Sequence, residues 1–233
     1  MQSFAVIIPA AGKGERFRSD IPKQYSQIEK KTILSISIDI FTTIKECKII
    51  CVPVAKKYIK EFERDPVYKK NNVKYIEGGN TRSFSIRNSI AYLSSLDLDI
   101  KNILIHDAVR PCLDSNDLTK ILDEITNKNV EGAILATPLT DTLKEAETGY
   151  VKKTLDRTNL WRASTPQIFT RALLEEAYLN PNKDISGLTD DSAVVEDISK
   201  KISILRCLNT NIKITYSEDL EVAKFILKKQ GKL

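Results

Sequence analysis

Short apolar runs alternate with longer amphipathic ones along most of this chain, and that alternation limits the fold more than any other feature. Phe4–Pro9, Lys48–Pro53, Val73–Ile76, Asn102–Ile105 and Gly132–Thr137 are short segments rich in Val, Ile, Leu and Ala, which predicts buried strands. Between them, Thr32–Thr43, Val54–Arg64, Ser83–Leu96 and Ser115–Thr126 carry apolar residues at helical spacing. In the first of these, Ile33, Ile36, Ile40 and Ile44 fall near one helical face. Strand–helix repetition of this kind predicts an α/β fold, a mostly parallel sheet flanked by helices.

One stretch departs from the pattern. Within Thr140–Leu160, Thr142-Leu143-Lys144 and Val151-Lys152-Lys153-Thr154 flank Glu147-Thr148-Gly149-Tyr150, which predicts a β-hairpin around a glycine turn. A hairpin inserted into such an arrangement either wraps its own domain or projects toward a partner. Beyond it, Arg171–Leu179 and Thr189–Glu196 read as helices, and Ile202–Leu205 and Ile212–Thr215 as strands. Ser217–Lys229 reads as a helix capped by Ser217, with Glu218 and Asp219 in its first turn. No repeat, linker or low-complexity tract divides the sequence. Residues 1–233 are therefore expected to form one domain with an arm over residues 140–160, leaving no room for a fused second domain.

Composition narrows the function. The 36 basic and 31 acidic side chains leave a formal charge of +5, too mild and dispersed for a nucleic-acid groove yet compatible with a small anionic ligand. No apolar run approaches the roughly 20 residues of a membrane span. The N-terminus, Met1-Gln2-Ser3-Phe4, lacks the basic region of a signal peptide. A cytoplasmic protein that binds neither nucleic acid nor membrane is expected. The single histidine, His106, excludes a His-cluster metal centre. Cys47, Cys51, Cys112 and Cys207 form no C-x-x-C pair and read as buried free thiols.

Gly12, Gly14, Gly78 and Gly79 follow directly on predicted strands, at the carboxyl edge where open α/β sheets bind ligands. Glycine there admits positive φ and close approach of backbone N–H groups to an anion. The loop Pro9-Ala10-Ala11-Gly12-Lys13-Gly14-Glu15-Arg16-Phe17 is not a Walker A loop, because no Gly-Lys-Ser/Thr follows. Nor is it a dinucleotide fingerprint, because Phe17 stands at the third glycine position. With Lys13, Arg16, Arg18 and Lys23 it suits a triphosphate, or else it is an ordinary turn with solvated cations.

His106-Asp107-Ala108-Val109-Arg110-Pro111 ends the fourth strand. Asp107 is placed either to hold Mg2+ beside a phosphate or to cap the following turn, and Arg110 reads equally well as an ion pair. His106 reads as a backbone-bonded histidine, since an ionised phosphate nucleophile needs no general base. Arg157 can present its guanidinium to a phosphate. Trp161 reads as packing and Asp190-Asp191-Ser192 as a helix start. Lys213, between two isoleucines, points outward or into a site.

A series of blocks runs through nearly the whole chain: Pro9-Ala10-Ala11-Gly12, Pro22-Lys23-Gln24-Tyr25, Gly78-Gly79-x-x-Arg82-x-x-Ser85, His106-Asp107-Ala108-x-Arg110-Pro111, Asp141-Thr142, Asp156-Arg157, Leu160-Trp161-x-Ala163-x-Thr165-Pro166-Gln167 and Asn211-Ile212-Lys213. In these blocks the sequence resembles the 2-C-methyl-D-erythritol 4-phosphate cytidylyltransferases, CTP-dependent enzymes of non-mevalonate isoprenoid synthesis. The resemblance implies a Rossmann-like nucleotidyltransferase fold, CTP as co-substrate, Mg2+ as cofactor, a sugar-alcohol phosphate as acceptor, and a homodimer joined through the arm.

The resemblance also implies residue roles. Arg16 and Lys23 would stabilise the transition state at the α-phosphate. Pro9, Ala11, Asp107 and Ala108 would hold the ribose. The backbones of Ala10, Gly79 and Asn80, with the Ser85 side chain, would read cytosine. Gly12, Gly14 and Arg110 would complete the nucleotide set, and Asp107 would lie at the metal. Thr142 and Arg157 would contact the acceptor of the neighbouring subunit, with Lys213 and Thr165 positioning it. Val109 and Ser89 depart from smaller residues usual in the family, Thr210 from a common acidic residue, and Cys207 from a common glycine. A ribitol 5-phosphate cytidylyltransferase is the nearest alternative. A CTP-binding protein without catalysis is the other; it would take up CTP and release no pyrophosphate.

Overall fold

The computed structural model describes residues 2–12, 21–188 and 190–233. In chain order its elements begin with β1 (Phe4–Ile7), a 3-10 turn (Lys23–Tyr25) and a small hairpin of β2 (Gln27–Ile28) and β3 (Lys31–Thr32). Then come α1 (Ile33–Thr42), β4 (Cys47–Val54), α2 (Lys56–Arg64), β5 (Val73–Glu77), α3 (Arg82–Ser94), β6 (Asn102–Ile105) and α4 (Ser115–Glu124). The second half holds β7 (Gly132–Pro138), β8 (Leu143–Glu147), β9 (Tyr150–Leu155), β10 (Trp161–Thr170), α5 (Arg171–Leu179), α6 (Ser192–Val195), β11 (Ile202–Arg206) and α7 (Asp219–Lys229).

The main sheet has the order β11-β7-β10-β6-β1-β4-β5. Its strands are parallel except β10, which runs antiparallel between β6 and β7. The alternation along β1 builds both layers of the core, since successive strand residues point to opposite faces. Phe4 and Val6 pack with Leu34, Ile38 and Phe41 of α1, Phe62 of α2 and Ile121 of α4. Ala5 and Ile7 pack with Ile86 and Ile90 of α3 and with Leu174 and Tyr178 of α5. The mostly parallel, helix-covered sheet is thus as expected. No helix among the described residues is long and apolar enough to cross a membrane.

Several local expectations change. The region from Trp161 onward is a ten-residue strand, β10, and Trp161 at its start keeps 38% of its surface exposed, so it is not a core packing residue. Ile212–Thr215 is not a strand. It is an irregular strap whose Ile214 N–H bonds the Val109 carbonyl and whose Ile214 side chain is buried against α1 and α7. Ser217 does not cap α7; its hydroxyl bonds Glu218, while the Asp219 carboxylate accepts the N–H groups of Thr215 and Tyr216. Of the helix expected over Thr189–Glu196, Thr189 lies outside the described residues, and among the described ones only α6 is helical.

Helix α1 is buried on two sides. Ile33 and Ile36 face α7, and Leu34, Ile38 and Phe41 face the sheet. The arm, by contrast, is as read: β8 and β9 pair antiparallel as a separate two-stranded sheet. Thr148 and Gly149 both take positive φ, at 50° and 88°, as a tight two-residue hairpin turn requires. All four cysteines are buried and free. Burial pushes the thiols of Cys47, Cys51 and Cys112 up to about 12, which keeps them protonated and unreactive.

Candidate active site

A cleft of about 890 Å3 opens over the carboxyl ends of β1, β5 and β6. From β1 the chain continues to β4 on one side while β6 lies on the other, so the cleft sits at the point where the strand order reverses. Pro9, Ala10, Ala11 and Gly12 line one wall, Gly79, Asn80 and Ser85 another, and Asp107, Ala108, Lys23 and Lys213 the floor and rim. Eleven residues named from the sequence meet there. Arg16 and Gly14 lie outside the described residues.

The first loop is shaped from behind. Ala10 donates its N–H to the Pro53 carbonyl. The buried Gln24 amide donates to the carbonyls of both Ala10 and Gly12, each at 2.8 Å, and the Tyr25 hydroxyl also donates to Ala10 at 3.0 Å. A trans peptide points its N–H opposite its carbonyl, so Gln24, by holding the Ala10 carbonyl, turns the Ala11 N–H the other way. Gly12, Gly78 and Gly79 do not use positive φ. What Gly78 and Gly79 provide is closeness: a Cβ on Gly78 would sit 2.4 Å from the Ala11 Cβ, and one on Gly79 would sit 2.5 Å from the Phe84 Cβ. The Ser85 hydroxyl donates to the Thr81 carbonyl and accepts the Gly79 N–H, closing the loop it was expected to read from.

Asp107 is the electrostatic centre. One carboxylate oxygen accepts from Arg82 Nε at 3.1 Å, and the other meets Lys213 Nζ at 2.9 Å and Arg110 Nε at 3.5 Å. Burial pushes this carboxyl up, but the charges of Arg82, Lys213 and Arg110 outweigh it and hold it well below the usual carboxylate range. Lys213 therefore points into the site, and Arg110 makes the ion pair that the sequence left open. Lys23 Nζ donates to the Ile214 carbonyl at 3.0 Å, so the 212–215 strap carries one cation and steadies another.

Asp107 does not fit the metal role given to it. Both oxygens are engaged by cations, and a divalent ion would have to displace them against three positive charges. Among the described residues no group of three His, Cys, Asp or Glu side chains could hold a metal.

Behind Asp107 lies a chain of buried hydrogen bonds. The His106 ring touches the Arg110 carbonyl through Nε2 at 3.0 Å; a carbonyl cannot donate, so Nε2 carries the proton. That leaves Nδ1 to accept from the Thr165 hydroxyl at 3.3 Å, and this hydroxyl accepts the Asp107 N–H at 2.9 Å. Burial lowers the His106 pKa to about 4, which keeps the ring neutral. Thr165, expected to position substrate, is buried, bonds the Asp107 N–H and lines neither the cleft nor the neighbouring smaller cavity.

Arg110 departs from its nucleotide-binding assignment too. It lines a neighbouring cavity of about 280 Å3 with Arg162, Asn211 and Lys213. Thr142 and Arg157 line neither cavity; they lie exposed at the root of the arm, where Arg157 bonds the Thr140 carbonyl.

Four residues that matter here carry no site role in the sequence. Gln24 and Tyr25 directly follow Lys23, and their place at the end of the glycine loop is the available signal. Arg82 opens α3 directly after Gly78-Gly79. Asp191, read as part of a helix start, is fully buried against Arg82, whereas Asp190 does cap α6 by accepting the Ala193 N–H.

Comparison with known proteins bears on the sequence and the overall fold. The profile of the family described as 2-C-methyl-D-erythritol 4-phosphate cytidylyltransferase matches residues 4–229. A protein of that name from Wigglesworthia glossinidia brevipalpis is 38% identical over 226 residues, covering 95% of this chain and 94% of its own length. One from Neisseria gonorrhoeae is 38% identical over 229 residues, covering 95% and 96%. Among solved structures, the Francisella tularensis protein of the same name superposes with a TM-score of 0.83 at 30% identity, covering 97% of this chain and all of that one. A sequence and a fold that agree over this length have one reading: the chain belongs to the 2-C-methyl-D-erythritol 4-phosphate cytidylyltransferase family.

Proposed function

We propose that the chain transfers the cytidylyl group of CTP to 2-C-methyl-D-erythritol 4-phosphate, giving 4-diphosphocytidyl-2-C-methyl-D-erythritol and pyrophosphate, in cytoplasmic synthesis of isoprenoid precursors. The observation that carries this reading is the cleft at the strand-order reversal, where the Ala10–Gly12 loop, Lys23, Asp107 and Lys213 converge. In the reaction an acceptor phosphate oxygen attacks the α-phosphorus in line. A new P–O bond forms as the bond to the bridging oxygen of pyrophosphate breaks.

The nucleophile is already ionised, so no side chain needs to take a proton, in keeping with a His106 whose two ring nitrogens are both engaged. Lys23, with Arg16, supplies charge where it develops at the α-phosphate. Asp107, an acceptor-only group, takes hydroxyl donors, and the smaller cavity at Arg110 and Lys213 suits the acceptor. No described residue is assigned to Mg2+ in this reading; bound with the triphosphate, the ion would supply charge neutralisation. Two chains pair through their arms, each arm offering Thr142 and Arg157 to the other's acceptor. Their distance from this chain's own cavities supports that arrangement.

The test is pyrophosphate release from CTP and Mg2+, with methylerythritol phosphate and ribitol 5-phosphate in parallel. Release with methylerythritol phosphate alone is expected; release with ribitol phosphate alone, or with neither, overturns the reading. Lys23→Ala is expected to lose about two decades of turnover with the fold intact.

A further inference from the structure

Asp191 has no exposed surface and does not line the cleft, yet one guanidinium joins it to the centre of the site. Its Oδ1 accepts from one terminal nitrogen of Arg82 at 3.0 Å and its Oδ2 from the other at 2.7 Å. The buried Tyr178 hydroxyl of α5 donates to Oδ1 at 2.7 Å. The third nitrogen of the same guanidinium, Nε, bonds Asp107 Oδ1 at 3.1 Å. A guanidinium is planar and its five donors are fixed relative to one another. Once Asp191 holds the two terminal nitrogens, the direction of Nε is set, and with it the direction from which Arg82 grips Asp107.

We infer that Asp191 is a positioning residue for catalysis: through the Arg82 fork it sets the orientation in which the Asp107 carboxylate faces the cleft. Three segments meet at this fork, namely the first turn of α3 after the glycine loop, the turn after β6, and the segment entering α6. Charge balance argues the same way. Arg82, Arg110 and Lys213 surround Asp107, and Asp191 is the second carboxylate among them. Without it the terminal nitrogens of Arg82 lose both acceptors, and Asp107 is the carboxylate that the guanidinium already bonds. A two-point grip by Arg82 would rotate that carboxylate and compete with Lys213 for its second oxygen. Misplacement of a site group by about 1 Å is enough to cost up to two decades in rate.

The inference rests on the cytidylyl-transfer reading, because that reading gives the cleft its nucleotide. The test is a double-mutant cycle on the full chain, reading kcat/KM for CTP with methylerythritol phosphate and the melting temperature of each protein. Asp191→Asn is expected to lose tenfold or more in kcat/KM. Asp107→Asn also loses activity, and the double variant is expected to match Asp107→Asn within twofold, since no carboxylate is left to be positioned. A structural role alone would make the losses multiply, and that result overturns the inference.

Arg82→Lys, which keeps the charge but lacks the fork, is expected to behave as Asp191→Asn does. Should Asp191→Asn fail to fold, Tyr178→Phe takes its place in the cycle. A loss of a few fold that disappears in the Asp107→Asn background is then expected, and wild-type kinetics or a multiplying loss overturns the inference. A wild-type chain that releases no pyrophosphate overturns the functional reading and this inference with it. An active wild type with multiplying losses overturns the inference alone.

Discussion

At the scale of single residues, side chains that shape the first loop matter as much as the cations and the carboxylate of the cleft. Gln24 is the clearest case. One buried amide bonds two carbonyls of the first loop, and losing such a hydrogen bond costs about 0.5–1.5 kcal/mol apiece. Gln24→Leu is therefore expected to raise the dissociation constant for CTP by roughly tenfold to a hundredfold, read by calorimetry. Tyr25→Phe, which removes one of the two donors on Ala10, is expected to cost about fivefold. Unchanged CTP affinity in Gln24→Leu would remove its loop-shaping role.

His106 supports a second residue-scale prediction, this time in stability. Its folded pKa, about 4, lies below the ordinary histidine value of 6.5, so between those values the unfolded chain binds more protons than the folded one. Stability from this group is complete above pH 6.5 and is lost as pH falls toward 4. Between pH 7 and pH 5 the wild type is expected to lose about 2 kcal/mol that His106→Gln does not lose, as measured by urea denaturation. Parallel pH dependence in the two proteins would mean that the imidazole is protonated in the fold.

Among the elements, β10 explains most about what could and could not be read in advance. Its sequence, Trp161-Arg162-Ala163-Ser164-Thr165-Pro166-Gln167-Ile168-Phe169-Thr170, is polar in its first half and carries a proline, both of which argue against a central strand. The structure resolves the conflict with a register shift between Ser164 and Gln167. Pro166 sits in that shift, where no ladder N–H is needed. The same irregularity brings the Thr165 hydroxyl to the Asp107 N–H, and Asn211 ties down the Thr165 carbonyl.

Thr165→Val, equal in shape, is expected to lower stability by about 1–3 kcal/mol by leaving buried partners unpaired, and to reduce kcat by tenfold or more. Thr165→Ser is expected to restore most of both, and a Val variant with wild-type kcat would confine Thr165 to packing. The legible strands, such as β1 and β6, are buried on both faces and so are apolar but for Asn102 at the start of β6. The 212–215 strap was misread because Ile212 and Ile214 imitate strand alternation while packing against helices. Loop positions such as Asp107 and Lys213 were legible from the pattern of blocks. Asp191 was not, because its partner is 109 positions away and no local periodicity encodes that pairing.

At the scale of the whole molecule, the arm is the part that one chain does not explain. Its strands are held to each other by Lys152 and Lys153 pairing with Glu145, while Tyr150 and Val151 stay 79% and 66% exposed. Thr142 and Arg157 at its root reach neither cavity of their own chain. In the proposed dimer every active site combines one chain's Lys213 with the other chain's Arg157. Arg157→Ala and Lys213→Ala homodimers should then each be nearly inactive, for different reasons. Exchanging subunits in an equal mixture makes about half of the dimers mixed, and in each of these one of the two sites is intact, so roughly a quarter of wild-type activity is expected to return. Size-exclusion chromatography with light scattering on the same samples establishes that dimers are present. Activity no greater than the sum of the two variants, in a sample shown to contain mixed dimers, would place Arg157 and Lys213 on the same chain's site and leave the arm with no part in catalysis.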